Sequence, residues 1–160
     1  MTTPSADYTA SLPRKRMAAA VLLRDADERV LLVEPVYKDD WEIPGGGVDA
    51  DESPLAAAVR EMKEELGMSV VPGRLLVVDW VPPRPGRTDG VMFVYDGGVL
   101  DPAHESGIQL PPEELRSWAW STPAEADSRL SDLLARRVRA ALRALSAGVT
   151  LYLENGVPVA

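Results

Sequence analysis

The chain has no cysteine among its 160 residues. That absence excludes disulfides, thiolate zinc sites and a cysteine nucleophile together. Histidine is nearly as scarce. The single one, His104, lies in the polar stretch LDPAHESG without a Ser-His-Asp context, and reads as a solvent-loop residue. No apolar run approaches the length of a membrane span, and the opening MTTPSADYTASLPRKR lacks the apolar core of a signal peptide. A cytoplasmic location with no membrane partner is the expectation. Basic charge is also short: 17 Lys and Arg against 25 Asp and Glu give a net charge of -8. Long nucleic acids usually demand a basic patch and are disfavoured. A small anionic substrate remains compatible, because bound cations invert the local field.

Hydrophobic residues at 46% and charged residues at 26% are ordinary for one globular domain. Residues 1–13, rich in Ser, Thr, Pro and Ala, read as a flexible tail, and residues 14–160 as the domain. Within it, 17–23 and 30–36 alternate as a hairpin around the turn Arg24-Asp25-Ala26-Asp27-Glu28. Strands are expected in 69–80, 90–95 and 115–120. The basic cluster Arg14-Lys15-Arg16 reads as surface flanking a strand. A helix start at Ser121-Thr122-Pro123 leads into apolar spacing through Leu142, which predicts a second long helix whose arginines are a solvated face. The Asn155-Gly156 pair signals a hairpin that either covers a sheet edge or joins two copies in a homodimer.

The most informative stretch is WEIPGGGVDADESPLAAAVREMKEELGM, residues 41–68. Ser53 is a favourable N-cap, Pro54 fits the first helical position and Gly67 supplies a stop. Leu55, Ala58, Val59, Met62 and Leu66 recur at helical spacing and predict the buried stripe. Glu61, Glu64 and Glu65 stand at i, i+3 and i+4, which places three carboxylates on one neighbouring face. Carboxylates that close repel and raise one another's pKa unless a cation sits among them. Oxygen-only ligands suit Mg²⁺, with Mn²⁺ as the other ion such donors accept. Gly45-Gly46-Gly47 upstream lets backbone carbonyls and amides approach a metal or a phosphate closely.

From Gly46 through Glu52 to Arg60-Glu61-Met62-Lys63-Glu64-Glu65-Leu66-Gly67-Met68 the spacing resembles the Nudix box at each specified position. The flanks Trp41-Glu42-Ile43-Pro44 and Glu113-Glu114-Leu115-Arg116-Ser117-Trp118-Ala119-Trp120 resemble the family too. The resemblance implies an α/β/α sandwich with a mixed central sheet. It also implies a Mg²⁺-dependent pyrophosphohydrolase acting on a nucleoside diphosphate linked to another moiety, ADP-ribose-like or a nucleoside triphosphate. Glu61, Glu64 and Glu65 would then hold metal, and Arg60 would orient Glu61 or Glu64. Gly45 and Gly46 would offer backbone groups to metal or phosphate, and Glu52 would tie the loop to the helix. In related enzymes a later loop supplies another carboxylate, for which Glu114, Glu105 and then Glu113 are the candidates; Glu61, Glu114 and Glu105 all stand as candidate general bases. Arg84 and Arg87, in the Pro-rich run 82–87, are candidates for substrate phosphate or base. The rival reading is a non-catalytic Nudix-fold module that binds a nucleotide and regulates. Such modules typically lose box carboxylates, and this box keeps all of them.

Overall fold

The computed structural model describes residues 2–160. The chain runs α1 (Ala6–Ser11), β1 (Arg16–Arg24), β2 (Val30–Pro35), β3 (Gly45–Gly47), α2 (Pro54–Leu66), β4 (Leu75–Val81), β5 (Gly90–Val99) and α3 (Pro102–Glu105). It continues through β6 (Leu115–Ser121), α4 (Pro123–Arg129), α5 (Asp132–Ala147), β7 (Leu151–Glu154) and β8 (Val157–Pro158). The amino-terminal segment therefore carries a short helix, capped by Ser5, that buries none of its residues. No helix among the described residues is long and apolar enough to cross a membrane.

The strands form one sheet in the order β6-β2-β1-β5-β4-β7-β8, with β3 attached to β1. The β1–β5 and β4–β7 pairs are parallel and the others antiparallel, so the sheet is mixed. Alternation along β1 divides the core, since successive side chains leave opposite faces. Ala19, Val21 and Leu23 pack with Ala57, Ala58, Met62 and Leu66 of α2. Leu22 joins Ala126 of α4 and Val138, Ala141 and Ala144 of α5 on the other side. The result is the α/β/α sandwich.

Two departures from the sequence reading shape the site. Gly45–Gly47 is not a free loop but a strand on β1, with Ala18 opposite Gly47 and Ala20 opposite Gly45. Val21 N–H donates to Pro44 O and Val48 N–H to Met17 O, while Glu42 exchanges backbone hydrogen bonds with Val33. Residues 41–48 are thus wedged between β1 and β2, which pair directly at Arg24 and Val30. The second departure is that the expected long helix is two. Thr122 starts α4 with a capping box and Ser131 caps α5 afresh, its hydroxyl accepting from Leu134 N–H. The break serves the wedge: Leu130 pairs with Trp41, Trp41 N–H donates to Arg129 O, and the Arg129 guanidinium lies 4.8 Å over the Trp41 ring.

The Asn155-Gly156 turn forms as expected, both residues at positive φ (52° and 77°), which the primed turns of two-residue hairpins require. It covers the β4 edge, because β7 runs parallel to β4. Fully buried Asp79 on β4 accepts from Arg137 Nε at 2.7 Å and from Gly156 N–H at 3.0 Å. One carboxylate therefore joins sheet, α5 and C-terminal turn. Removing one member of a buried ion pair leaves the other uncompensated. Asp79→Ala is expected to cost about 3–5 kcal/mol in urea unfolding, whereas Asp127→Ala, which breaks the exposed pair with Arg139, should cost under about 1 kcal/mol.

Candidate active site

Helix α2 begins and ends where the sequence places it: Ser53 accepts from Ala56 N–H, and Gly67 closes the helix in the left-handed region at φ 68°. Its buried face differs. Leu55 and Val59 are 45% and 40% exposed, whereas Ala57, Ala58, Met62, Leu66 and Glu65 are buried. The helix is turned so that alanines, which permit close approach, face β1. The same turn brings Glu61 and Glu65 inward.

Glu65 is 7% exposed, and its Oε2 accepts from Gly45 N–H at 3.0 Å. Burial pushes its pKa up to about 8; the Gly45 N–H opposes this, while Glu61, Glu42 and Glu114 reinforce it. Glu61 lies against Gly46 so closely that a Cβ there would stand 2.3 Å from Oε1. Gly45 is equally constrained, since its Cβ would lie 2.4 Å from Ala19 O. Burial raises the Glu61 pKa, Arg60 counters it, and Glu64 and Glu114 add to the rise.

Arg60 fixes this arrangement. Its Nε and Nη2 bind the two Glu52 oxygens, each at 2.9 Å. Nη2 also donates to Gly47 O at 2.9 Å, and Nη1 to Glu61 at 3.0 Å and Glu64 at 3.2 Å. These bonds hold Glu52 well down, at about 2. Glu52 accordingly ties the loop to the helix.

A cavity of about 1100 Å³ opens beside these groups, lined by Gly45, Gly46, Glu61, Glu65 and Glu42, and by Arg84 and Arg87. Glu64 is not in its lining; it stands 54% exposed and joins the cluster through Arg60. Among the candidate later carboxylates, Glu114 is near enough to raise Glu61 and Glu65, and its carbonyl is held by Val36 N–H. Glu105 sits on α3, and among the described residues its side chain makes no hydrogen bond or ion pair with the box. Pro82 lines the cavity, whereas Pro83 is exposed.

Residues that the sequence reading did not select also line the cavity. Glu42 is fixed at both backbone polar groups by Val33 and pairs with Lys38 at 2.5 Å, while Tyr37 OH donates to it at 3.4 Å. Arg16 and Arg136 are further examples. The available signal for Glu42 was the alternation Trp41-Glu42-Ile43, which turns it away from its apolar neighbours. No local signal distinguishes Arg136 from the rest of α5.

Among the described residues, no three Asp, Glu, His or Cys side chains already converge as a metal cage. The donors nevertheless fit a hard cation. Glu61 and Glu65 are two mutually repelling, largely buried carboxylates, and Arg60 bonds to Glu61 alone of the pair. Every oxygen here, including the Gly45 carbonyl, belongs to the class that Mg²⁺ accepts.

Comparison with known proteins gives the family and the fold. A family profile described as NUDIX domain matches residues 14–145, and the chain belongs to that family. Diphosphoinositol polyphosphate phosphohydrolase 2 from Mus musculus is 41% identical over 83 residues, covering 51% of this chain and 44% of that protein. The chain thus matches less than half the length of this curated relative. The structure of the MutT protein from Methanosarcina mazei Go1 superposes with a TM-score of 0.67 at 21% identity, covering 86% of this chain and 99% of that one. A UDP-X diphosphatase structure gives 0.72 at 20% identity, covering 91% and 70%. Both share the fold.

Gly46→Ala should displace the Glu61 carboxylate, a flexible tip, and so abolish hydrolytic turnover while shifting stability little. Gly47→Ala, with nothing within 4 Å of the added Cβ, should leave turnover within about twofold. Steady-state kinetics and thermal melts on both variants check the contrast. The Glu65 pKa carries a second prediction. A carboxylate raised from 4.5 to about 8 by folding releases its proton more readily in the unfolded chain. Metal-free protein should therefore lose stability as pH rises through that window, about 5 kcal/mol in all. Added Mg²⁺ should restore more stability at pH 8.5 than at pH 6, as read by paired urea titrations; a flat profile would refute it.

Proposed function

We propose that the protein is a Mg²⁺-dependent pyrophosphohydrolase that cleaves a phosphate anhydride in a small anionic substrate, a nucleoside diphosphate linked to a further moiety. The observation that carries this reading is the pair of carboxylates, half-buried Glu61 and buried Glu65, facing a cavity that arginines also line. Glu61, Glu64 and Glu65, with the Gly45 carbonyl, would hold the metal. Its chemistry there is to neutralise phosphate oxygens and acidify a water.

The chain's own groups do the rest. Arg60 spreads its guanidinium over Glu52, Glu61 and Glu64 and so fixes the direction of the last two. Glu114, an exposed carboxylate outside the helix whose charge raises both Glu61 and Glu65, would take the proton of the attacking water from the rim of the cavity. Arg84 and Arg87 bind substrate phosphate from the cavity wall.

The test is a Mg²⁺-dependent hydrolysis screen over ADP-ribose, nucleoside triphosphates, dinucleoside polyphosphates, nucleotide sugars and diphosphoinositol polyphosphates, the last because the curated relative named above bears that description. Glu61→Gln and Glu64→Gln should lower kcat by roughly 100-fold or more, and Glu114→Gln should lower kcat and flatten the acidic limb of its pH profile. Glu105→Gln should be unchanged. Turnover that survives Glu61→Gln would overturn the metal assignment. Tight nucleotide binding without turnover of any anhydride would instead establish the regulatory module.

A further inference from the structure

The arginines of this chain are held in two different ways. Arg60, Arg24, Arg29, Arg116, Arg137 and Arg139 each face a carboxylate. Arg136 does not. Its Nε and Nη2 both donate to the Asn155 carbonyl, at 3.2 and 2.9 Å, inside the rigid Asn155-Gly156 turn. Arg16 repeats the arrangement, with Nε and Nη2 donating to the Thr88 carbonyl at 3.1 and 2.6 Å. A carbonyl tether orients a guanidinium without neutralising its charge, and it leaves Nη1 free to donate.

Both tethered arginines line the cavity that contains Glu61 and Glu65, and so do Arg84 and Arg87, which among the described residues have no ion-pair partner. Carboxylates line the same cavity, Asp40 and Asp132 among them, yet among the described residues none pairs with these four guanidinium groups, which leaves their charge available to an anion. They come from separate elements: β1, the turn between β4 and β5, and α5. Arg136 also depends on the C-terminal hairpin, which lies beyond the family match at residues 14–145. Its tether is built by the Asp79 bonds to Arg137 and Gly156, which lock helix and turn together.

We infer that Arg136 and Arg16, with Arg84 and Arg87, form a second anion subsite that binds phosphate ester groups on the part of the substrate that is not cleaved. Within small anionic anhydrides the substrate class then shifts from nucleoside diphosphates toward diphosphates on a compact carrier that itself bears phosphate. This rests on the proposed function only in taking the cavity as the substrate's. Arg136, on α5, is a specificity-determining residue held in place by a hairpin outside the family match.

The experiment is isothermal titration of the full chain, in metal-free buffer, with inositol hexakisphosphate, which carries phosphate esters and no anhydride. The wild-type protein should bind it, more weakly as NaCl is raised. Arg136→Ala and Arg16→Ala should each weaken binding roughly tenfold. Arg139→Ala, which removes the same charge from an exposed pair on the same helix, should leave it within about twofold. Absence of wild-type binding, or equal losses in Arg136→Ala and Arg139→Ala, would overturn the subsite. Linear tripolyphosphate binding more tightly and with the same Arg136 dependence would also overturn it, assigning the arginines to a phosphate chain. Hydrolysis is scored separately. Binding without turnover would sink the proposed activity and leave this subsite standing, and turnover without binding would do the reverse.

Discussion

One guanidinium holds the candidate site in shape. Arginine has five N–H donors, and Arg60 uses all five on Glu52, Gly47 O, Glu61 and Glu64. Three of those contacts reach back along the chain to Glu52 and Gly47, and two lie on the helix. The two pieces of the box are therefore joined through a side chain rather than through a core. A lysine would not substitute, because three donors on one nitrogen cannot bracket Glu52 and still reach Glu61 and Glu64. The arrangement also balances charge unequally. Glu52 takes the bidentate contact and is held ionised, whereas Glu61 shares one nitrogen and Glu65 takes none. The carboxylates facing the cavity are the ones least compensated by arginine.

That unequal balance works only if the helix can approach the sheet closely, and small residues on three elements allow it. Ala18, Ala19 and Ala20 of β1 lie opposite Gly47, Gly46 and Gly45, and Ala57 and Ala58 of α2 are fully buried. A side chain at Gly45 would meet the β1 backbone, and one at Gly46 would meet Glu61. Glycine here supplies room rather than looseness. The segment is hydrogen-bonded as a strand and fixed at its start by Trp41, which α4 grips through Arg129. Burial of the carboxylates then follows from close packing, and their raised pKa values follow from burial.

Local chemistry was readable from the sequence and mutual placement was not. Caps and stops fix α2 to the residue, because Ser53, Pro54 and Gly67 act within one turn of themselves. The Asn155-Gly156 hairpin is legible for the same reason. The face that α2 buries was misread, since Leu55 and Val59 look like core until the sheet's alanines and glycines are known to accept Ala57 and Ala58. The break at Leu130 and Ser131 was hidden because apolar spacing continues across it. Its cause, the pairing of Leu130 with Trp41, joins residues far apart in sequence. Helical spacing singled out Glu61 and Glu65, and the resemblance to the box singled out Arg60, Glu52 and Gly46. Glu42, Arg16 and Arg136 were not singled out, because each acquires meaning only from a partner on another strand or turn.

The same distinction separates the two kinds of arginine. An Arg paired with a carboxylate is electrostatically finished, and its substitution is mostly a question of stability. An Arg tethered by a carbonyl is positioned but still charged, so the energy of meeting an anion is retained for a ligand. Sequence cannot tell the two apart: Arg136 and Arg137 are neighbours on one helix, and one is closed by Asp79 while the other is held open by Asn155 O. The acidic chain as a whole repels anions, which makes local cations more selective rather than less. An approaching phosphate finds attraction where guanidinium groups outnumber nearby carboxylates, and the carboxylates of the box become attractive to it only through a divalent ion. A cavity that joins both kinds of surface favours a ligand with charge at more than one end.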